Sequence, residues 1–284
     1  MTAFVKTRLD APRGFFEAEA AGLRWLGEAS ARGGADVVGV QSVQAGRIEL
    51  DEVHEARPTV EGARAFGLAL AATHGAGADA FGASPAGYDG PCFIGKRPLS
   101  TRPVASWGAF YAPQRVLPYL DVARDAGSVS DDEYRRIRET CDAITAGAFD
   151  DDEPPARLHG DLWNGNVLFS AGGVVLIDPA AHGGHRETDL AMLALFGCPF
   201  LDDVVAAYDQ AAPLRDGWKD RVPLHQLHPL AVHAAGYGRS YGTALTRAAD
   251  ATAALLTSWQ AAADTLGIPG ESFPGDRRRS PEHV

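Results

Sequence analysis

The stretch from His159 to Asp178 constrains the fold of this chain more than any other. It reads His-Gly-Asp-Leu-Trp-Asn-Gly-Asn, then Val-Leu-Phe, a Ser-Ala-Gly-Gly turn, and Val-Val-Leu-Ile-Asp. Two short apolar runs around a glycine turn predict a β-hairpin, Val167 to Phe169 against Val174 to Asp178. The polar residues ahead of it are turn formers. Such a support presents three oxygen-bearing side chains, Asp161, Asn166 and Asp178, in a set order. Each taken singly is ordinary turn or strand-end chemistry; their joint spacing points to function.

The flanking chain sets the fold class. Phe4 to Thr7 fits a strand and Phe15 to Ala29 a helix, with Phe15, Ala18, Leu23, Trp25 and Leu26 on its apolar face. Val37 to Val43 and Ile48 to Val53 are strand-like, and Gln44-Ala45-Gly46-Arg47 between them has hairpin-turn composition. Pro58 starts a helix that runs to His74, and the Gly-, Pro- and Ala-rich run from Gly75 to Pro103 reads as a long loop. Helical spacing returns from Ser106 to Ala126, with breaks near Pro113 and Pro118, and Ser130 opens a capping box for a helix to about Ala146. Glu187 to Phe196, Leu201 to Ala212 and most of Trp218 to Leu266 are helical. This distribution predicts an α+β protein of two lobes: a small mixed lobe over 1–54, a large mostly helical lobe over 55–275, and a disordered tail over 276–284.

Composition narrows the partners. Lys and Arg total 26 against 37 Asp and Glu, a net charge of -11, so the chain lacks the positive field that nucleic-acid backbones demand. No run approaches the roughly 18 apolar residues of a membrane span, and Met1 to Lys6 has no signal-like apolar core. A cytoplasmic protein with no membrane or nucleic-acid partner is expected. Cys92, Cys141 and Cys198 have neither zinc nor disulfide spacing and are expected to be reduced and mostly buried. The chain has no Gly-x-Gly-x-x-Gly ahead of a helix and no Gly-x-Ser-x-Gly elbow, which argues against a dinucleotide fold and a serine hydrolase.

Phosphoryl transfer from ATP fits the pattern between His159 and Asp178. That chemistry needs a carboxylate to orient the attacking hydroxyl and oxygen ligands to hold Mg2+ against the phosphates. Asp161 is placed to accept or orient the hydroxyl proton. Asn166, five residues on, and Asp178, at the strand end, offer oxygens suited to a hard cation. A cation able to reach the phosphates must itself be held, and a helix glutamate does this through a charge-assisted bond.

Leu158 to Leu168 resembles the catalytic loop of the fructosamine/ketosamine kinases, members of the aminoglycoside-phosphotransferase-like branch of the protein-kinase-like fold. Asp178-Pro179-Ala180-Ala181 is similar to that family's metal-binding segment, and Gly184 to Met192 to the helix after it. Phe4-Val5-Lys6 and Phe16 to Leu23 resemble its ATP-binding lysine strand and the helix bearing the partner glutamate, which places Lys6 and Glu19 in those roles. Glu19 is preferred to Glu17 because it shares a helix face with Leu23 and Leu26. Ala80-Phe81-Gly82, Phe93-Ile94-Gly95 and Ser106 to Tyr111 resemble an insert typical of bacterial members.

The resemblance implies ATP and Mg2+ as cofactors and, as acceptor, a hydroxyl of a small-molecule or protein-bound ketosamine. The phosphorylated adduct then falls apart, a deglycation repair. It also implies an adenine connector after the Ile48 to Val53 strand, where backbone groups of Asp51 and Val53 meet the base. Trp163, Trp107, His182 and His185 are candidates for reading the sugar, although Trp107 and Tyr111, at helical spacing, fit a core face better. Arg186 and Asp189 read as a structural ion pair beneath the catalytic loop. His225, His228 and His233 read as solvated or capping histidines, because Pro229 interrupts the helical phase.

The chain departs from its relatives at one end. Kinases of this fold cover the triphosphate with a glycine-rich hairpin ahead of the lysine strand, and only five residues precede Lys6. The small lobe is therefore expected to lack that first hairpin, because the natural start lies upstream, the phosphate roof is open, or activity is lost. An aminoglycoside or other hydroxyl kinase, and a non-catalytic nucleotide-binding module, are the alternative functions. A monomer is expected.

Overall fold

A computed structural model describes residues 3–266; the tail expectation for 276–284 lies outside them. In chain order the elements begin with β1 (Ala3–Thr7), α1 (Phe15–Gly27), β2 (Asp36–Val37), β3 (Val40–Gln44), β4 (Arg47–Asp51) and α2 (Val60–Gly75). There follow β5 (Cys92–Ile94), β6 (Arg97–Leu99), α3 (Trp107–Tyr111), α4 (Leu117–Asp125) and α5 (Asp131–Thr145). Then come β7 (Ala156–Leu158), β8 (Val167–Ser170), β9 (Gly173–Leu176) and β10 (His182–Gly184). The chain closes with α6 (Glu187–Phe196), α7 (Leu201–Ala211), α8 (Trp218–Tyr237) and α9 (Arg239–Leu266). The described residues form two compact units, 3–110 with 154–213, and 111–153 with 214–266. Every candidate site residue falls in the first.

In the first unit β1, β4 and β3 make an antiparallel sheet in that order, with Lys6 opposite Ile48 and Ala3 opposite Asp51. The turn at Gly46 closes the β3–β4 hairpin, as its composition predicts. Alternation along β4 buries Ile48 and Leu50, and α1 covers them with Phe16, Ala20 and Leu23. Burial of side chains of this size is worth about 1.5–3 kcal/mol each before the entropy of ordering is counted. This packing is what carries Glu19 to the lysine strand.

The strand expected over Val37 to Val43 divides in two. Asp36 and Val37 leave the sheet and run parallel to Val175 and Leu176 of β9, joining the β8–β9 hairpin as a third strand. The hairpin forms about the expected glycine turn, but β9 stops at Leu176, two residues short of the strand end expected at Asp178, which lies beyond it. The long loop after α2 contains the β5–β6 hairpin, which the sequence reading did not resolve. The three-residue pair β7 and β10, with Leu158 opposite His182, was not visible either. Helix α2 starts two residues after Pro58, with the Thr59 side chain accepting from the Gly62 N–H at 3.0 Å.

The second unit is helical. The helical run is interrupted near the prolines, as expected: a widened turn over Ala112–Val116 contains Pro113 and separates α3 from α4, and Pro118 sits in the first turn of α4, where a missing N–H costs least. The capping box is present, Ser130 and Glu133 bonding each other's backbone N–H. Helix α8 continues through Pro229, contrary to expectation, and His225 and His228 are buried rather than solvated. His228 Nδ1 bonds the Arg115 carbonyl at 2.7 Å and the Tyr111 hydroxyl bonds the His225 carbonyl at 2.9 Å, so these rings belong to the core. None of the three cysteines is in a disulfide; Cys92 and Cys141 are buried and Cys198 is half-buried. Among the described residues no helix is long and apolar enough to cross a membrane.

Candidate active site

The loop after β7 is held from below by one carboxylate. Asp189, in the first turn of α6, accepts the His159 N–H at 2.8 Å on one oxygen and the Gly160 N–H at 3.0 Å on the other. His74 Nε2, at the end of α2, reaches the same carboxylate at 3.2 Å, and its Nδ1 lies 2.8 Å from the Tyr208 hydroxyl. Burial alone would raise the Asp189 pKa, but His74 and the Gly160 N–H outweigh it and hold the carboxyl below its ordinary range. The expected Arg186–Asp189 ion pair does not form. Arg186 instead donates to the Ala212 carbonyl at 2.9 Å and the Pro213 carbonyl at 2.7 Å. Asp189 does sit beneath the catalytic loop, but backbone N–H groups and a histidine are its partners.

Gly160 is required where it stands. Its φ is 79°, the left-handed region, and a Cβ there would run into the Ala180 carbonyl. The close approach brings His159 against the hairpin, where its Nε2 lies 2.9 Å from the Ile177 carbonyl. Burial lowers the His159 pKa, so this ring stays neutral and structural.

Asp161, Asn166, Asp178, Lys6 and Glu19 line one cavity of about 370 Å3. Lys6 Nζ donates to Glu19 Oε1 at 2.8 Å and also to Asp178. Burial works against the lysine charge, but Glu19 and Asp178 together outweigh it and raise the pKa. Asn166 Nδ2 donates to the Asp161 carbonyl at 2.7 Å, which leaves its amide oxygen for another partner. Asp178 holds a φ of 53°, rare for a residue with a side chain and typical of functional sites. The Asp161 carboxyl is pushed up to about 7, chiefly by burial, with Asp178 adding to it and the Asn166 amide opposing. A carboxyl so poised suits a proton acceptor at neutral pH. The Asp178 carboxylate and the Asn166 amide oxygen are ligands of the kind a hard cation such as Mg2+ takes.

Trp163 also borders the cavity, 41% exposed, its ring lying over Gly165, where a Cβ would collide with it. The other substrate candidates lie elsewhere. Trp107 is buried edge-on against His185, with ring centroids 5.9 Å apart, and His182 is buried with Nδ1 2.8 Å from the Ala180 carbonyl. None of these three lines the cavity. Asp51 closes β4; its N–H donates to the Gly39 carbonyl at 2.8 Å and its side chain accepts from Gln41. Val53 follows and packs on the core under the sheet. The sequence reading missed Arg8, Phe15 and Phe93, which line the cavity. Strand alternation from Lys6 would have found Arg8; the β5–β6 hairpin carrying Phe93 has no such signal.

A buried carboxylate, an amide and a second carboxylate around a hairpin end, faced by a lysine–glutamate pair from a strand and a helix, define a phosphotransferase of the protein-kinase-like fold. The fold agrees with this: APH(2'')-IIa in complex with gentamicin superposes with a TM-score of 0.55 over 88% of this chain and 84% of its own, at 15% identity. The fructosamine kinase family model matches residues 1–254, and the chain belongs to that family, a family of ATP-using kinases. A probable ketoamine kinase of Lactiplantibacillus plantarum is 34% identical over 82% of this chain and 80% of its own length. The crystal structure of a candidate fructosamine-3-kinase from Thermobifida fusca superposes with a TM-score of 0.81 at 47% identity, covering 89% of this chain and 85% of the other.

Proposed function

We propose that this kinase transfers the γ-phosphoryl group of ATP to a hydroxyl of a ketosamine, with Mg2+ as the metal. The observation that carries the reading is the convergence of Lys6, Glu19, Asp161, Asn166 and Asp178 on one cavity. Glu19 holds the Lys6 ammonium, which bonds the α- and β-phosphates. The backbone of Asp51 to Val53 meets the adenine edge. Asp178 and the Asn166 amide oxygen would hold the metal, which would supply positive charge against the phosphates.

Asp161 takes the proton of the acceptor hydroxyl as its oxygen bonds to the γ-phosphorus. The bond from that phosphorus to the β,γ-bridging oxygen breaks, its electron pair leaves with ADP, and the proton stays on the Asp161 carboxyl until solvent removes it. Trp163 offers a flat apolar face to the sugar ring, and Gly165, without a side chain, leaves room for the indole to lie against the loop. A phosphorylated ketosamine that decomposes gives the reaction a deglycation role.

ATP consumption with free and peptide-borne fructose- and ribulose-lysine adducts tests this. Turnover with these adducts and none with aminoglycosides is expected. Turnover with aminoglycosides alone, or ATP binding with no acceptor turned over, overturns it.

A further inference from the structure

Two cations line the cavity, Lys6 and Arg8. They stand two residues apart on and just after β1, so their side chains leave the same face of the strand. The register orients them. Ala3 pairs with Asp51 at the end that leads into the 51–53 connector, Thr7 pairs with Arg47, and the Arg8 N–H donates to the Gly46 carbonyl at 2.9 Å. Arg8 thus lies roughly 7 Å beyond Lys6, away from the adenine end.

Their partners differ. Lys6 is bonded by two carboxylates inside the cavity. The Arg8 side chain is 20% exposed, and among the described residues its one bonded carboxylate is Asp10, 3.2 Å from Nε and itself 80% exposed. Such a surface pair neutralises little. The guanidinium lies 4.8 Å from the centroid of the Phe15 ring, and Phe15 packs on Phe93 of the β5–β6 hairpin at 5.4 Å. Asp10 at Nε and the ring below fix the plane of the guanidinium and leave its two terminal nitrogens as a fork. Planar forks of this kind take two oxygens of one phosphoryl or carboxylate group.

Glu19, Asp161 and Asp178 give the cavity three carboxylates against these two cations, and Glu19 and Asp178 both bond Lys6, which leaves the Arg8 fork to meet an incoming anion. A triphosphate entering with its base at the connector end would meet Lys6 first and Arg8 last. We propose that Arg8 binds the terminal phosphoryl group of the nucleoside triphosphate, so that the protein distinguishes ATP from ADP and steadies the charge on that group as it is transferred. This rests on the nucleotide orientation given under the proposed function.

Direct binding of Mg2+ complexes of ADP and of a non-hydrolysable ATP analogue, with no acceptor present, tests it in the parent, Arg8→Ala and Arg8→Lys. Arg8→Ala should weaken the triphosphate roughly ten- to a hundredfold and leave ADP within about twofold, as expected for one lost charged hydrogen-bonding group. Arg8→Lys should recover part of the loss. Equal weakening of both nucleotides, or no change in either, overturns the proposal. A parent that binds neither nucleotide overturns the functional reading as well, and that result is distinct from the other two.

Discussion

His74 Nε2 lies 3.2 Å from Asp189 Oδ2, and both side chains are about 1% exposed although 115 residues separate them. The carboxylate can only accept, so the histidine donates. Asp189 spends its remaining capacity on the His159 and Gly160 N–H groups, so the histidine is the outer prop of the catalytic loop. His74→Phe, which keeps the ring volume but removes the donor, should cost about 1–3 kcal/mol in chemical denaturation. It should lower kcat while leaving nucleotide affinity near the parent value, because Lys6 and Glu19 are untouched. Asp189→Ala orphans two buried N–H groups as well and should cost more. Equal stability of the His74 variant and its parent would show that the contact carries no weight.

Asp161→Asn removes the proton acceptor while keeping the shape of the loop. The short bond from Asn166 Nδ2 goes to the Asp161 main-chain carbonyl, 2.7 Å, whereas the carboxylate is 3.3 Å away. The anchor therefore survives the substitution. A fall in kcat of about a hundred- to ten-thousandfold is expected, with the thermal unfolding midpoint no lower than in the parent. Steady-state kinetics beside a melting curve checks both; activity within tenfold of the parent would give the proton to another group.

Gly160→Ala addresses the backbone. A side chain at a φ of 79° costs about 1–2 kcal/mol by itself, and the clash with the Ala180 carbonyl adds to this. The loss should exceed 2 kcal/mol, a magnitude confined to a few mechanisms, backbone strain among them. Relief would come by shifting the loop away from the hairpin, which would part Asp161 from Asp178. Activity should therefore fall further than stability explains at a temperature where the variant is folded.

The site was legible in the sequence to the extent that it is local. Asp161, Asn166 and Asp178 ride on one hairpin, and a glycine turn between two apolar runs announces it. Lys6 and Glu19 were paired through the resemblance of their strand and helix to the kinase family, and the apolar face of α1 singled out Glu19 over Glu17. What the sequence hid is non-local or too short to have a period. Strands β7 and β10 have three residues each, and the second reads His-Gly-Gly, with no alternation to detect. The partner of Asp189 was misread as Arg186, three residues away, because its true partner belongs to α2. Trp107, His182 and His185 carry the right chemistry for a sugar site but face inward, and burial of a histidine or tryptophan cannot be read from its neighbours when the segment packs on distant chain. Pro229 was overrated as a helix breaker; inside α8 tertiary packing of Leu227, Leu230 and Ala231 outweighs the lost bond.

Glu133 offers a test of the stability of the second unit. Its carboxylate accepts both terminal nitrogens of Arg239 at 2.8 Å, and from the Ser130 N–H at 2.9 Å and hydroxyl at 2.8 Å. The Arg239 bonds lead, burial opposes them, and Ser130 adds to them; the net effect holds the carboxyl at about 2. The folded state therefore prefers the ionised form more strongly than the unfolded chain does. The resulting stabilisation is complete above the ordinary glutamate range near pH 4.5 and is lost as the pH falls through about 2. Because Arg239 is 55% exposed, solvent screens the pair, and the cap provides much of the effect. Glu133→Gln keeps the capping box but removes the charge, so it should cost about 0.2–1 kcal/mol at pH 7, and the gap between variant and parent should close between pH 4.5 and pH 2. Urea denaturation at a series of pH values measures this. A gap that stays constant down to about pH 2 would mean that the side chain acts through its shape and not its charge.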